Sequence, residues 1–440
     1  MNYKIINGRV ANQGCVAKRD VCIKDGVIVS SLDDADATII DAEGCYVMPG
    51  VIDTHVHFRE PGLTDKADMQ SESRAAAKGG VTSIIDMPNT IPQTTTLATL
   101  EEKEQMARDH CVVNYGFMLG ATNDNISQLV ALDPTRYAAI KLFLGSSTGN
   151  MLVNDDKSLD YLFEHANKLI VAHCEEESII KENTERLRHL YEGTADETAA
   201  LHPQIRSSEA CIVSAKKAIE RALRYGTRFH LAHISTKEEA QMLASTPLCD
   251  KHITGEVTPN HLHFDDNDYP RLGNQMKCNP AIKSKDDRLA LLSALRNGNI
   301  DTIATDHAPH TWESKQRPYF SAPSGIPSIQ HSLQMVIDDT KSLFDDEDKQ
   351  FAFIAEKMCH NPATIFGIRN RGFLNEGCYA DIVIVDPRDS ETVTRESLLY
   401  KCGWSPMVGE TLHSRIRTTF INGTIYNGNS NNAMPLEFTK

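Results

Sequence analysis

The sequence has no apolar run near the roughly 20 residues a helix needs to cross a bilayer. Its first residues, MNYKIINGRVANQG, lack the basic-then-apolar order of a secretion signal. It has no excess of positive charge: 45 Lys and Arg stand against 60 Asp and Glu, a formal net charge of −15. That sign argues against a nucleic-acid or membrane partner, although a pocket can be locally basic. There is no CxxC pair, and the 11 cysteines are an odd number. Free thiols in a reducing cytoplasm fit this better than a disulfide framework, so a cytoplasmic location is expected. There is also no glycine-rich phosphate fingerprint of the dinucleotide-binding kind. What is present is ordinary for a globular chain: 440 residues, 40 % hydrophobic and 24 % charged. That length suits two to three ordinary domains, or one large barrel with an accessory domain.

The ends differ from the middle. Near the N-terminus, YKIINGRV and DVCIKDGVIV are short β-like runs with Asn-Gly and Asp-Gly turn signals. Near the C-terminus, ADIVIVDP and RTTFINGTIYNG repeat the style. The expectation is one small β domain, a sandwich, built from residues 1–50 and 371–440. Across 51–370, short apolar runs alternate with longer amphipathic ones. The expected strands are GVIDTHVHF, GVTSIIDMPN, VVNYGFMLG, YAAIKLFLG, KLIVAHCE, RFHLAHIS, ITGEVTPNHL and DTIATDHAPH. Strand and helix alternating eight times predict an α/β fold, a (β/α)₈ TIM barrel. A doubly wound open sheet is the alternative, and it lacks its phosphate fingerprint.

Ligand-type residues collect where these strands end. His55 and His57 end the first, Asn89 the second, His173 the fifth, His233 the sixth, and Asp306 and His307 the eighth. Lys141 lies on the fourth. In a barrel those strand ends share one face, which carries the active site. His55 and His57 are two apart, so on a strand they point to one side and can share an ion. An HxH alone is a weak signal, and a single histidine is more often a satisfied core group. The combination of five ligand-type residues on four different strand ends predicts a metal site. Imidazole and carboxylate without thiolate favour Zn²⁺, with manganese, cobalt and iron open. Four histidines and one aspartate exceed what one open catalytic ion needs and suit two ions close together. Lys141 then has two readings, a salt-bridged or substrate-binding cation, or a CO2-derived carbamate whose two oxygens bridge the ions.

The motifs DTHVHFREPG, AAAKGGVTSIIDMPNT, IKLFLG, VAHCEE, LAHIS, EVTPNHL, ATDHAPH and APSGIPSIQ occur in order. NPATIFGI and GCYADIVIVD follow. Over nearly its whole length the chain thereby resembles the amidohydrolase superfamily and, within it, the dihydroorotases of the carbamylated-lysine type. Single motifs are shared with hydantoinases and allantoinases; the pair HFREPG and MPNT is more specific. The resemblance implies that His55, His57 and Asp306 hold one divalent metal ion and His173 and His233 the other. Carbamylated Lys141 would bridge them, where other relatives use an aspartate. It implies that Asp306 is the catalytic base and acid. It places Arg59, Asn89 and His310 on a substrate carboxylate and Asn279 on the substrate ring.

The implied activity is the reversible cyclisation of N-carbamoyl-L-aspartate to L-dihydroorotate in pyrimidine biosynthesis. Two other readings are another cyclic amidohydrolase, and a non-catalytic partner of aspartate transcarbamoylase. A homodimer is the expectation from symmetry, and association with aspartate transcarbamoylase is possible by the resemblance. The departure from the pattern is VTPNHL, where many relatives have histidine at Asn260. No ligand is assigned to Asn260 or His261. The polar stretch 311–325 reads as a loop over the site, and Glu60 has no assigned role.

Overall fold

A computed structural model describes residues 1–145, 151–428 and 432–440. Eight parallel strands form the barrel. They are β1 (Val51–Val56), β2 (Val81–Asp86), β3 (Asn114–Phe117, continued by Leu119–Gly120), β4 (Ile140–Phe143), β5 (Ile170–His173), β6 (Phe229–Leu231), β7 (Ile253–Val257) and β8 (Thr302–Ile303). Each pairs with the next in parallel register. The first and last edges meet through a parallel bridge between Val56 and His307 and through His57 N donating to His307 O at 2.8 Å. The expected barrel is therefore the observed one.

Local chemistry explains the alternation. Helix α1 (Met69–Lys78) starts where the Asp68 carboxylate accepts from Ser71 N, and its run of alanines packs it closely on the barrel. It stops at Gly79 and Gly80; Gly80 takes a φ of +83° that turns the chain into β2. The strands are buried throughout, so they read as continuous apolar runs rather than alternating ones. Asp53 is a polar exception in β1. Its carboxylate accepts from Thr305 N at 3.0 Å and Thr305 Oγ1 at 2.6 Å, tying the first strand to the segment after the eighth.

The chain ends form two further sheets, one of which takes strands from both. One has four strands, all from residues 3–41. The other has six, in the order Thr424–Ile425, Arg415–Ile421, Ile382–Asp386, Tyr46–Pro49, Arg9–Asn12 and Cys15–Lys18. Their tight turns are Gln13-Gly14, Asp25-Gly26 and Asn422-Gly423, each with positive φ at both residues, as two-residue hairpins require. The strand Ile382–Asp386 shows how the sandwich meets the barrel. Ile382 and Ile384 face the sandwich core with Val10, Val47 and Phe420, while Val383 and Val385 join the barrel core. Period-two alternation thus places one strand between two cores.

Two parts of the C-terminal stretch lie against the barrel instead. Val393, Met407 and Leu412 pack with barrel residues such as Phe264 and Met335. The final residues run beside β3, where Leu436 N donates to Tyr115 O at 2.8 Å. Among the described residues, no helix is long and apolar enough to cross a membrane.

Candidate active site

The ten residues given ligand, catalytic or substrate roles from the sequence line a single cavity of about 270 Å³ at the C-terminal ends of the strands. They are His55, His57, Arg59, Asn89, Lys141, His173, His233, Asn279, Asp306 and His310. Three residues here take left-handed backbone conformations: Arg59, His233 and Asp306 have φ of +68°, +36° and +47°. Such conformations cost on the order of 1–3 kcal/mol each and persist where surrounding structure enforces them. β1 ends at Val56, and beyond it a left-handed turn at Arg59 brings that side chain into the same cavity as His55 and His57.

Ligand-type atoms converge. Asp306 Oδ1 lies 3.0 Å from His57 Nε2 and 3.4 Å from His55 Nε2. His173 Nδ1 and His233 Nε2 are 2.9 Å apart. Ligand atoms of His55, His233 and Asp306 all fall within 4.8 Å of one another, a group fit to hold a metal ion. Two buried atoms, Lys141 Nζ and His233 Nδ1, have no hydrogen-bond partner among the described residues. Burial pushes the Lys141 amine down to about 8 and the His57 imidazole down to about 4. Neutral imidazoles are what a metal requires. Burial opposes ionisation of Asp306, yet His55 and His57 together hold its carboxyl well below the usual carboxylate range. A buried cluster of neutral nitrogens, one carboxylate and an unpartnered amine fits divalent cations.

Carboxylates behind the cluster fix its geometry, and the sequence reading missed them. Glu256, on β7, is fully buried; its Oε1 accepts a short hydrogen bond from His55 Nδ1 and a 3.3 Å one from His233 N. Despite burial, the His55 and His230 rings hold this carboxyl well below its ordinary value. With Nδ1 taken, His55 presents Nε2 to the cluster. Glu175 lies with Oε2 2.9 Å from His173 Nε2 and pairs with Arg206. The signal for Glu256 was an acid inside the strand run ITGEV, where a fully buried strand has no solvent-facing side.

Arg59 is 7 % exposed. Its Nε donates to Pro309 O at 3.1 Å and its Nη2 lies 3.2 Å from His310 Nε2. No carboxylate forms an ion pair with it among the described residues. Burial lowers its pKa to about 10. Glu60 is not its partner: Glu60 Oε2 accepts from Met69 N at 3.0 Å and Oε1 lies 2.9 Å from His110. Glu60 thus anchors the start of α1. Asn89 Oδ1 is 2.8 Å from His57 Nδ1, and Asn279 Oδ1 has no partner among the described residues.

His307 is outside the cavity. It bonds Glu72 at 2.8 Å and accepts from Ser328 N, as a buttress. His261 is satisfied by Thr258 and Pro280 O, and Asn260 reaches Ser328. Of the 311–325 stretch, Pro323, Ser324 and Gly325 line the cavity. The fully buried ammonium of Lys315 holds the carbonyls of Lys277, Pro323 and Gly325 at 3.0–3.1 Å.

A parallel barrel with a histidine- and aspartate-lined cavity at its strand ends, fit to hold a metal ion, is the arrangement of a metal-dependent hydrolase class. The amidohydrolase family model matches residues 46–426, and the chain belongs to that family. The dihydroorotase of Methanosarcina acetivorans is 32 % identical over 425 residues, covering 92 % of this chain and 88 % of the relative. That of Staphylococcus epidermidis is 30 % identical over 431 residues, covering 96 % and 98 %. The solved L-hydantoinase (dihydropyrimidinase) from Arthrobacter aurescens superposes with a TM-score of 0.90 at 26 % identity, covering 99 % of both chains. The protein is accordingly a cyclic amidohydrolase.

Proposed function

We propose that this chain is a dihydroorotase, interconverting N-carbamoyl-L-aspartate and L-dihydroorotate. One observation carries the choice of substrate: the buried Arg59 guanidinium stands in the ligand cavity without a carboxylate partner among the described residues. Dihydroorotate keeps a carboxylate on its ring, and a guanidinium reads a carboxylate at two points. Hydantoin and dihydropyrimidine rings bear no carboxylate and would leave Arg59 buried without a counter-ion. All six ligand positions are present, which disfavours a purely structural role.

His55, His57 and Asp306 would hold one divalent ion, and His173 and His233 a second, most simply Zn²⁺. Lys141 would join both as its carbamate, formed when the neutral amine adds to CO2 and releases a proton. Such ions supply a water ionisable near neutral pH, its pKa lowered from about 15.7 to about 7, and polarise the carbonyl under attack. Asp306, ionised at any working pH, takes the proton of the attacking water and delivers it to the leaving ring nitrogen. Arg59 and His310 orient the ring through its carboxylate, with Asn89 beside them and Asn279 facing the ring. Cyclisation uses the same groups in reverse.

The test is an assay of purified, metal-analysed protein with dihydroorotate, carbamoyl aspartate, hydantoin and allantoin. Turnover of the first pair is expected. Turnover of hydantoin or allantoin with dihydroorotate untouched would overturn the assignment. The assembly expected is a homodimer, to be measured by solution mass.

A further inference from the structure

A second cavity, of about 380 Å³, lies beside the catalytic one, and Ser324 lines both. One wall is the face of the helix Glu177–Tyr191 that carries Lys181, Glu185 and Arg188. The opposite wall holds Arg206, Lys277 and Phe320. At the rim the charges balance, with exposed Lys181 and Arg188 against Glu177 and Glu185. At the floor they do not.

Arg206 and Lys277 are each 8 % exposed. Arg206 has Glu175, which it shares with His173. Lys277 has no ion-pair partner among the described residues. Its ammonium donates to the carbonyls of Tyr319 at 2.7 Å and Ala322 at 2.5 Å and sits 4.4 Å from the centre of the Tyr319 ring, with no carboxylate bonded to it among the described residues. Glu197 is near, but its two oxygens accept from the backbone of Phe320 and Gly193. Burial, reinforced by Arg206 and Arg188, pushes the Lys277 amine down to about 8. A buried ammonium with no carboxylate bonded to it and only the nearby Glu197 as counter-charge is incompletely compensated. In a chain of net charge −15, a cavity lined by Arg206, already paired with Glu175, and by Lys277, which has no ion-pair partner among the described residues, is a specific arrangement.

We propose that this cavity binds a small organic dianion, a phosphate monoester or a dicarboxylate, whose charged head supplies the counter-ion of Lys277 and is shared by Arg206. The volume falls within the roughly 300–1,000 Å³ of small-molecule sites, and the Phe320 ring, 5.0 Å from the Arg188 guanidinium, adds an apolar surface for the rest of the molecule. The site is wired to catalysis. Lys277 grips Tyr319 and Ala322, and the next residues, Pro323 to Gly325, line the catalytic cavity. The proposal does not depend on which cyclic amide is hydrolysed.

Both tryptophans of the chain report on this loop. Trp312 lies within it, and its ring is 6.0 Å from that of Trp404, whose Nε1 donates to His310 O. Titration of the metal-loaded enzyme with inorganic phosphate and, separately, succinate is followed by calorimetry and tryptophan fluorescence. Saturable binding on the order of 1 mM is expected, and the better probe identifies the head group. Lys181→Ala with Arg188→Ala should weaken it roughly tenfold, and Lys277→Gln should abolish it. Arg59→Ala should leave it intact. No saturable binding of either probe up to about 50 mM overturns the proposal. So does loss of binding in Arg59→Ala with the rim variants unchanged, which would place the anion in the catalytic cavity. Wild-type affinity in a folded Lys277→Gln protein also overturns it, and if that variant does not fold, the rim pair decides.

Discussion

Glu256 accepts from Nδ1 of His55, so the other ring nitrogen of His55 is the one turned toward Asp306, 3.4 Å away. A carboxylate on the strand next to the last thereby sets the tautomer of a candidate ligand on the first. Glu256→Gln replaces a charged acceptor by an amide that can also present a donor to the ring. Metal affinity is expected to fall about 10- to 100-fold, the usual effect of losing such a partner. Metal content after dialysis against a graded chelator measures this, with circular dichroism to show the fold is kept. Undiminished retention would mean the ring is oriented by packing alone.

Arg59→Ala should raise KM for dihydroorotate and lower kcat/KM roughly 100-fold, the scale of a lost charge-assisted two-point contact. Metal content should stay at the wild-type level, since no ligand atom bonds Arg59. Loss of metal with unchanged KM would instead make Arg59 a support for the cluster.

Lys141→Ala should lose most metal and activity, with part of both restored by a short carboxylic acid such as acetate or propionate. Full metal occupancy in the variant would count against the bridging carbamate. The wild-type amine, pushed by burial to about 8, is half neutral there, while an ordinary lysine is half neutral only near 10.5. Only the neutral amine adds to CO2. Reactivation of stripped enzyme at fixed dissolved CO2 should therefore quicken from pH 7 to about 8 and then level off. A rate still climbing tenfold per unit at pH 9 would show an unshifted lysine.

Without metal, the buried imidazoles make the fold acid-sensitive. His57 titrates at about 4 when folded, against a usual 6.5, because burial disfavours its cation. The unfolded chain thus binds more protons between these values. The contribution is fully present above pH 6.5 and is lost as pH falls through 4, an effect of about 3 kcal/mol for 2.5 units. His173 and His233 shift the same way, also through burial. Urea midpoints of the metal-free protein should drop across this window, and His57→Gln should flatten the drop. A profile identical in both proteins would assign the sensitivity elsewhere.

The strand set was legible because a buried parallel strand must be apolar on both faces, and eight such runs stand between amphipathic stretches. The ligands were legible because the barrel gathers strand ends, so a histidine closing one run and an aspartate closing another can be paired without knowing any distance. Local sequence carried both signals. It did not carry what depends on approach through space. Glu256 is one residue of an apolar run until β7 is seen to place it behind His55. Arg59 lies beyond the end of β1 at Val56, and only the positive φ of its turn shows how it reaches His310. Glu60, unassigned from its neighbours, anchors α1 and meets His110, fifty residues on. The ammonium of Lys277 looks like any surface lysine in KCNPAI, and only packing against the 311–325 loop buries it. Residue type and periodicity determine which elements form and which chemistry they can bear. Which charges are buried, and against what, is decided when distant segments meet.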